Sequence, residues 1–189
     1  MDPVLPVAPI LYNYDTDRDT HEGLVIAKGG SGPNEGDDAK HQHWQTPAFP
    51  AAVTIQGDAT VHLWSGMKDF EEDNGGAVTV YLRDFDGWSY VELGSYTVAD
   101  TPWQGGSSWV QKTFRFPVGT YTLAPGHSLE LVVVVDGSSD DDMWFAYDTN
   151  DRKSRVAVSA SSDVLTTGAV PAWLLSSRLA GTWARLLFA

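Results

Sequence analysis

Aspartates at alternating positions are the residues of this sequence best suited to chemistry. The run Tyr14-Asp15-Thr16-Asp17-Arg18-Asp19-Thr20 sets three carboxylates two residues apart. A tight loop with that spacing can wrap oxygen ligands around a hard cation. A related motif, Tyr147-Asp148-Thr149-Asn150-Asp151, appears late in the chain. Ca²⁺ takes about six to eight oxygens from carboxylates and backbone carbonyls. Asp15, Asp17 and Asp19 would supply some of these and Asp148 one more, so the first and last strands are expected to meet and share one structural Ca²⁺ site. The central glycine and closing glutamate of an EF-hand are missing, which rejects that motif. The competing reading is that these aspartates cap turns and face solvent, as Asp readily does.

Other chemistries find less support. His41-Gln42-His43 would set two imidazoles on one face of a strand, a pair fit for a transition metal, but no third ligand lies near in sequence. There is no Gly-x-Ser-x-Gly elbow, no His-Glu-x-x-His and no phosphate-binding loop ending in Lys and Ser/Thr. Carboxylates are plentiful, yet no pair is arranged as a glycosidase requires. The expectation is therefore a non-enzyme. Acidic runs such as Asp140-Asp141-Asp142 read as solvated hairpin tips. Among the 8 Trp, Trp64, Trp109 and Trp144 fall in strand-like runs and read as core. Trp88 and Tyr90, beside Asp86-Gly87, and Trp103, beside Pro102, sit in or next to loops. A tryptophan there either packs down or meets a partner, so these three are the candidate partner-binding residues.

The chain of 189 residues is long enough to bury a substantial core and fits one domain with a tail. It contains no cysteine, hence no disulfide framework. With 25 Asp+Glu against 12 Lys+Arg its net charge is −13, which would repel a phosphate backbone and argues against nucleic acid as a partner. No run of apolar residues is long enough for a transmembrane helix. Residues 1–11 lack the basic start and apolar run of a signal peptide, so either export does not use that route or Met1 begins a mature chain. The lack of cysteine does not fix the compartment; the expected location is extracellular, at a cell surface or on a virion exterior.

The elements that must position these residues are strands. Leu24–Ala27, Ala52–Gln56, Ala59–Ser65, Ala77–Asp84, Ser89–Ala99, Val110–Phe116, Tyr121–Leu123, Ser128–Asp136, Met143–Asp148 and Arg155–Ala160 carry the pattern. In several, every second side chain would face a core. Leu129–Val135 is nearly all apolar and predicts a central strand buried on both faces. Turn signals such as Asp86-Gly87, Pro125-Gly126 and Asp136-Gly137 separate the runs. Many short strands without helical periodicity predict an all-β protein, an antiparallel β-sandwich over residues 1–162. Residues 163–189 form an apolar tail. There Leu175, Leu179, Trp183 and Leu186 fall at helical spacing, so the tail reads as a possible helix that packs on the sandwich, drives assembly or lies on a membrane surface.

The stretch Thr122-Leu123-Ala124-Pro125-Gly126-His127-Ser128-Leu129-Glu130-Leu131-Val132-Val133, followed by Tyr147-Asp148 and Ser154-Arg155-Val156, resembles the closing strands of galactose-binding-like jelly rolls. Such domains occur on bacterial surface and secreted proteins, in carbohydrate-binding modules and as the C-terminal domain of X-Pro dipeptidyl-peptidase-type hydrolases. Leu11–Asp17 through Gly23-Leu24, with Leu63–Phe70, also resembles accessory domains of actinobacterial surface proteins. The resemblance covers roughly residues 11–160. It implies a two-sheet jelly roll, often with one structural Ca²⁺ near the chain ends, that binds rather than catalyses. Asp15, Asp17 and Asp148 would be its ligand candidates. Two functions follow as expectations: a structural or assembly module that binds copies of itself or a larger protein shell, or a carbohydrate-binding accessory module that stacks a glycan on loop aromatics.

Overall fold

The computed structural model describes residues 24–33, 40–146, 152 and 154–161, together with the backbone of 184–187. The alternating runs become ten strands: β1 (Leu24–Ile26), β2 (His41–Gln45), β3 (Val53–Met67), β4 (Gly76–Phe85), β5 (Tyr90–Asp100), β6 (Val110–Leu123), β7 (Ser128–Val135), β8 (Met143–Ala146), β9 (Arg155–Ser161) and β10 (Ala184–Leu187). All ladders between them are antiparallel, and they form two sheets packed as a sandwich. The all-β two-sheet class predicted from turn spacing is the class observed.

The larger sheet is organised on β3. Its one edge is lined throughout by β6, from Val53 opposite Leu123 to Ser65 opposite Val110. Its other edge is divided between β9 and β8, and β10 and β1 extend the sheet beyond them. The sequence had suggested two strands on each side of Gly57 and of Gly119. Each pair is a single strand, because both glycines sit at positive φ (78° and 73°) and face one another at a bulge. Glycine adopts that conformation without steric cost, so the ladder kinks and continues instead of ending.

The smaller sheet has the order β2-β7-β4-β5. Its inward residues Val78, Val80, Leu82, Leu129, Leu131, Val133 and Val135 meet Ile55, Val61, Leu63, Phe114 and Phe116 of the larger sheet to form the core. Central β7 is buried on both faces along its whole length, as its apolar run predicted. β2 was not recognised as a strand, because His41-Gln42-His43-Trp44-Gln45 has no apolar period; pairing with β7 over its full length imposes the conformation.

The predicted helix does not extend through Leu186. Residues 184–187 are extended and pair with β9, with Leu186 opposite Val158. A free strand edge satisfies every second backbone group of such a segment, and that overrides a weak helical spacing. Leu175, Leu179 and Trp183 lie outside the described residues. No helix among the described residues is long and apolar enough to cross a membrane.

Candidate functional site

The chemistry-bearing side chains among the described residues gather on β4 and its neighbours. On the outer face of the smaller sheet, Arg83 of β4 stands opposite Glu130 of β7, which in turn faces Gln45 of β2. Arg83 donates through Nε at 2.7 Å and Nη2 at 2.6 Å to Glu130 Oε2. His43 Nδ1 lies 3.0 Å from Oε1 and Gln45 Nε2 donates to the same oxygen at 2.9 Å. Arg83 and Glu130 are each only 2% exposed, so a charged pair is held away from water and needs all of these bonds. Burial works to raise the Glu130 carboxyl. The bonds from His43 and Gln45 and the Arg83 charge outweigh it and hold the group below its ordinary value. The Tyr90 ring covers the guanidinium, with Arg83 Cζ 4.1 Å from the ring centroid.

A second cluster closes the same end of the sandwich on the core side. Asp84 is buried; its Oδ2 accepts a bond from the Tyr121 hydroxyl at 2.8 Å and its Oδ1 lies 2.8 Å from His127 Nδ1. Burial and the Asp84 carboxylate both raise the Tyr121 phenol above its usual value. The Pro125-Gly126 turn that carries His127 is pinned to Phe49 by two backbone bonds, at 2.8 and 2.7 Å. A carboxylate, an imidazole and a phenol thus meet, but no serine or threonine hydroxyl bonds to His127 among the described residues. The cluster ties β4, β6 and β7 together at their ends.

From this buried base the β4–β5 hairpin projects. Asp86 Oδ1 accepts the backbone N–H groups of Trp88 and Ser89 at 2.8 and 2.7 Å, and Oδ2 accepts the Ser89 hydroxyl at 2.7 Å. The Asp86 N–H donates to the Ser89 carbonyl at 3.1 Å, and Gly87 sits at φ 102°. These bonds, those of Ser89 first, lower the Asp86 carboxyl to about 2. The result is a turn with a fixed backbone that presents Trp88 at 97% exposure. Tyr90 (43% exposed) lies on the outer face of β5 over Arg83, and Val91 and Tyr96 are exposed on its core-side face. Among the described residues β5 pairs only with β4, and no other described strand occupies its far edge.

Trp103, grouped with these aromatics from sequence, does not belong to the surface. It is 1% exposed, packs in the core, and its indole N–H donates to Ser65 Oγ at 3.1 Å. A loop position next to Pro102 still lets the ring fold inward, where burial of a large aromatic is most favourable. Trp109 and Trp144 are buried, whereas Trp64 is only partly so. The acidic run at 140–142 is more than a solvated tip: Asp140 accepts the Gly75 N–H at 2.6 Å, and Asp142 accepts the Lys28 N–H at 3.0 Å. The proposed calcium ligands Asp15, Asp17, Asp19 and Asp148 lie outside the described residues. Among the described residues no three His, Asp or Glu side chains are grouped to hold a metal, so the nearby rings of His41 and His43 remain a pair.

The buried ion cluster was missed at the level of sequence. A signal existed: Glu130 is the single charge in the apolar strand β7, and one such charge usually demands another.

No protein-family model matches this sequence, and no curated protein sequence does. Solved structures do share the fold. An α-amino acid ester hydrolase superposes with a TM-score of 0.53 at 13% identity, over 64% of this chain and 25% of the hydrolase. An aminopeptidase from a marine-sediment Thaumarchaeota archaeon gives 0.52 at 10% identity, over 64% and 25%. This chain therefore spans a quarter of each neighbour's length. At such identities the likeness shows the fold, an all-β sandwich.

Proposed function

We propose that this chain is a non-catalytic structural or assembly module that docks into a larger protein assembly through its β4–β5 hairpin. The observation that carries this reading is Trp88, 97% exposed on a turn whose backbone is already fixed. Burial of one Trp side chain removes about 150–250 Å² from water, which at about 25 cal/mol per Å² is worth roughly 4–6 kcal/mol before the costs of association. The ordered turn reduces those costs, since little backbone freedom remains to be lost on capture. Tyr90 on the outer face and Val91 and Tyr96 on the other add exposed apolar area on both sides of the same edge strand.

The polar groups beside Trp88 favour a protein over a glycan. Asp86 and Ser89 are bonded to each other, and Glu92 accepts the Ser95 hydroxyl at 2.9 Å. Groups that would read sugar hydroxyls are committed within the hairpin, whereas an open edge offers backbone donors and acceptors suited to another strand. Sedimentation velocity of the wild type and of Trp88→Ala tests the reading. Larger species are expected for the wild type and fewer for the variant, at an unchanged melting temperature. A monomer at every concentration, together with Trp88-dependent capture on a glycan array, overturns the proposal in favour of a carbohydrate-binding module.

A further inference from the structure

We infer that the occupant of the open β5 edge is β5 of a second copy, paired antiparallel about a two-fold axis at Thr97. The inference rests on the assembly reading above and specifies its partner and register. β4 pairs Leu82 with Gly94 but Arg83 with Glu92, so Leu93 is an extra residue in β5. Such a bulge disrupts pairing locally. The regular part of the strand is thus Gly94–Asp100, with Thr97 at its centre.

A closed dimer brings the same patch of both copies together, so the strand must complement itself. Centred on Thr97 it does. Gly94 stands opposite Asp100, Ser95 opposite Ala99, Tyr96 opposite Val98, and Thr97 opposite its own copy. No carboxylate faces a carboxylate. The axis placed at Tyr96 instead sets Glu92 against Asp100, two like charges in direct opposition, which is destabilising. The Thr97-centred register also forms two aromatic–β-branched pairs, one on each side of the axis, and such cross-strand pairs are favourable. Tyr96 and Val98 pair with Val80 and Val78 of β4. They therefore share the side of the sheet that faces the core, and Val98 already packs against it. The pairing carries the apolar layer across the seam and covers the exposed Tyr96. The Asp100 carboxylate is held by Lys112 Nζ at 2.6 Å, which moderates its charge at the end of the seam. Beyond Asp100, Thr101 and Pro102 of each copy come opposite Leu93 and Glu92 of the other, and the hairpin tip with Trp88 reaches on toward the partner's Gly106. Each copy carries a net charge of −13, so the two repel at long range and added salt strengthens the association.

The absence of cysteine from the chain permits a register-specific test. In the full-length protein, Thr97→Cys places one thiol on the axis, within reach of its copy, because disulfides join Cα atoms roughly 4.4–6.8 Å apart. Ser95→Cys lies two residues off the axis, and its copy is about 13 Å away along the strands, too far to bridge. Mild oxidation followed by a non-reducing gel reads the outcome, with sedimentation at about 0.05 M and 0.5 M salt run on the same samples. Expected are a disulfide-linked dimer for Thr97→Cys at least tenfold faster than for Ser95→Cys, and a wild-type dimer that tightens with salt. Association that persists while the two variants cross-link alike, or not at all, overturns the β5 pairing and leaves the assembly reading standing. A wild type that stays monomeric at all concentrations overturns the β5 pairing, and with Trp88-dependent capture on a glycan array it overturns the assembly reading as well.

Discussion

Replacement of Glu130 by glutamine removes one charge from a site where four bonds converge. In the wild type Oε2 accepts two bonds from Arg83, and Oε1 faces His43 Nδ1 and Gln45 Nε2. A glutamine amide has one oxygen and one NH₂. Turned one way, the NH₂ points at the guanidinium; turned the other, it points at the Gln45 amide and the His43 ring. The first orientation sets donor against donor, the second requires the Gln45 amide and the His43 tautomer to change, and in both the buried Arg83 charge loses its counter-ion. Removal of one partner of a buried ion pair costs about 3–5 kcal/mol. For a domain of this size each kcal/mol shifts the melting temperature by about 2–4 °C, so a fall of roughly 6–20 °C is expected in calorimetry. The double variant Arg83→Met with Glu130→Leu should recover most of the loss, because it leaves no charge unpaired. The effect also has a pH signature. The folded carboxyl sits below the ordinary value of 4.5, so its contribution is complete above about pH 4.5 and disappears as pH falls through the lower folded value. Glu130→Gln lacks this part of the acid transition. A loss under about 1 kcal/mol, or an acid unfolding curve of unchanged shape, would refute the view that this cluster holds β2, β7 and β4 together.

The Asp86 carboxyl should titrate near 2 in a carbon-detected NMR experiment, and Asp86→Ala should abolish the slow exchange of the Trp88 and Ser89 amides; ordinary titration near 3.8 would show the turn to be unformed. The alternating aspartates predict that calcium raises the melting temperature of the wild type and that Asp17→Ala abolishes the gain, read by differential scanning fluorimetry with and without chelator; a wild-type curve that calcium leaves unmoved removes the site.

Much of the fold was legible because alternation survives in the strands that build the core. The runs at 77–84 and 128–136 announced β4 and β7, and the nearly all-apolar run at 129–135 correctly predicted a strand buried on both faces. β2 was invisible for the opposite reason. Its five residues carry two histidines and two glutamines, and only the partner strand makes them extended. Strand ends at Gly57 and Gly119 were misjudged because a glycine at positive φ serves a bulge as well as a turn. At the candidate site Trp88 and Tyr90 were identifiable from their place beside Asp86-Gly87. Trp103 was not separable from them, since local sequence states that a ring is near a loop and tertiary packing decides which way it turns. The Arg83–Glu130 pairing needs the register of β4 on β7, which no local pattern contains.

The central place of β3 has a kinetic consequence. Its fifteen residues, 53 to 67, find none of their strand partners before residue 110, and the last of the β9 partners is residue 161. During synthesis the most heavily paired strand of the larger sheet therefore emerges long before anything can pair with it, and its apolar face waits. Chains dominated by such distant pairings fold slowly, on the order of milliseconds to seconds, since loop closure must precede any gain from contact. The interval is one in which Ile55, Val61 and Leu63 are open to other molecules, and productive folding depends on β6 arriving first.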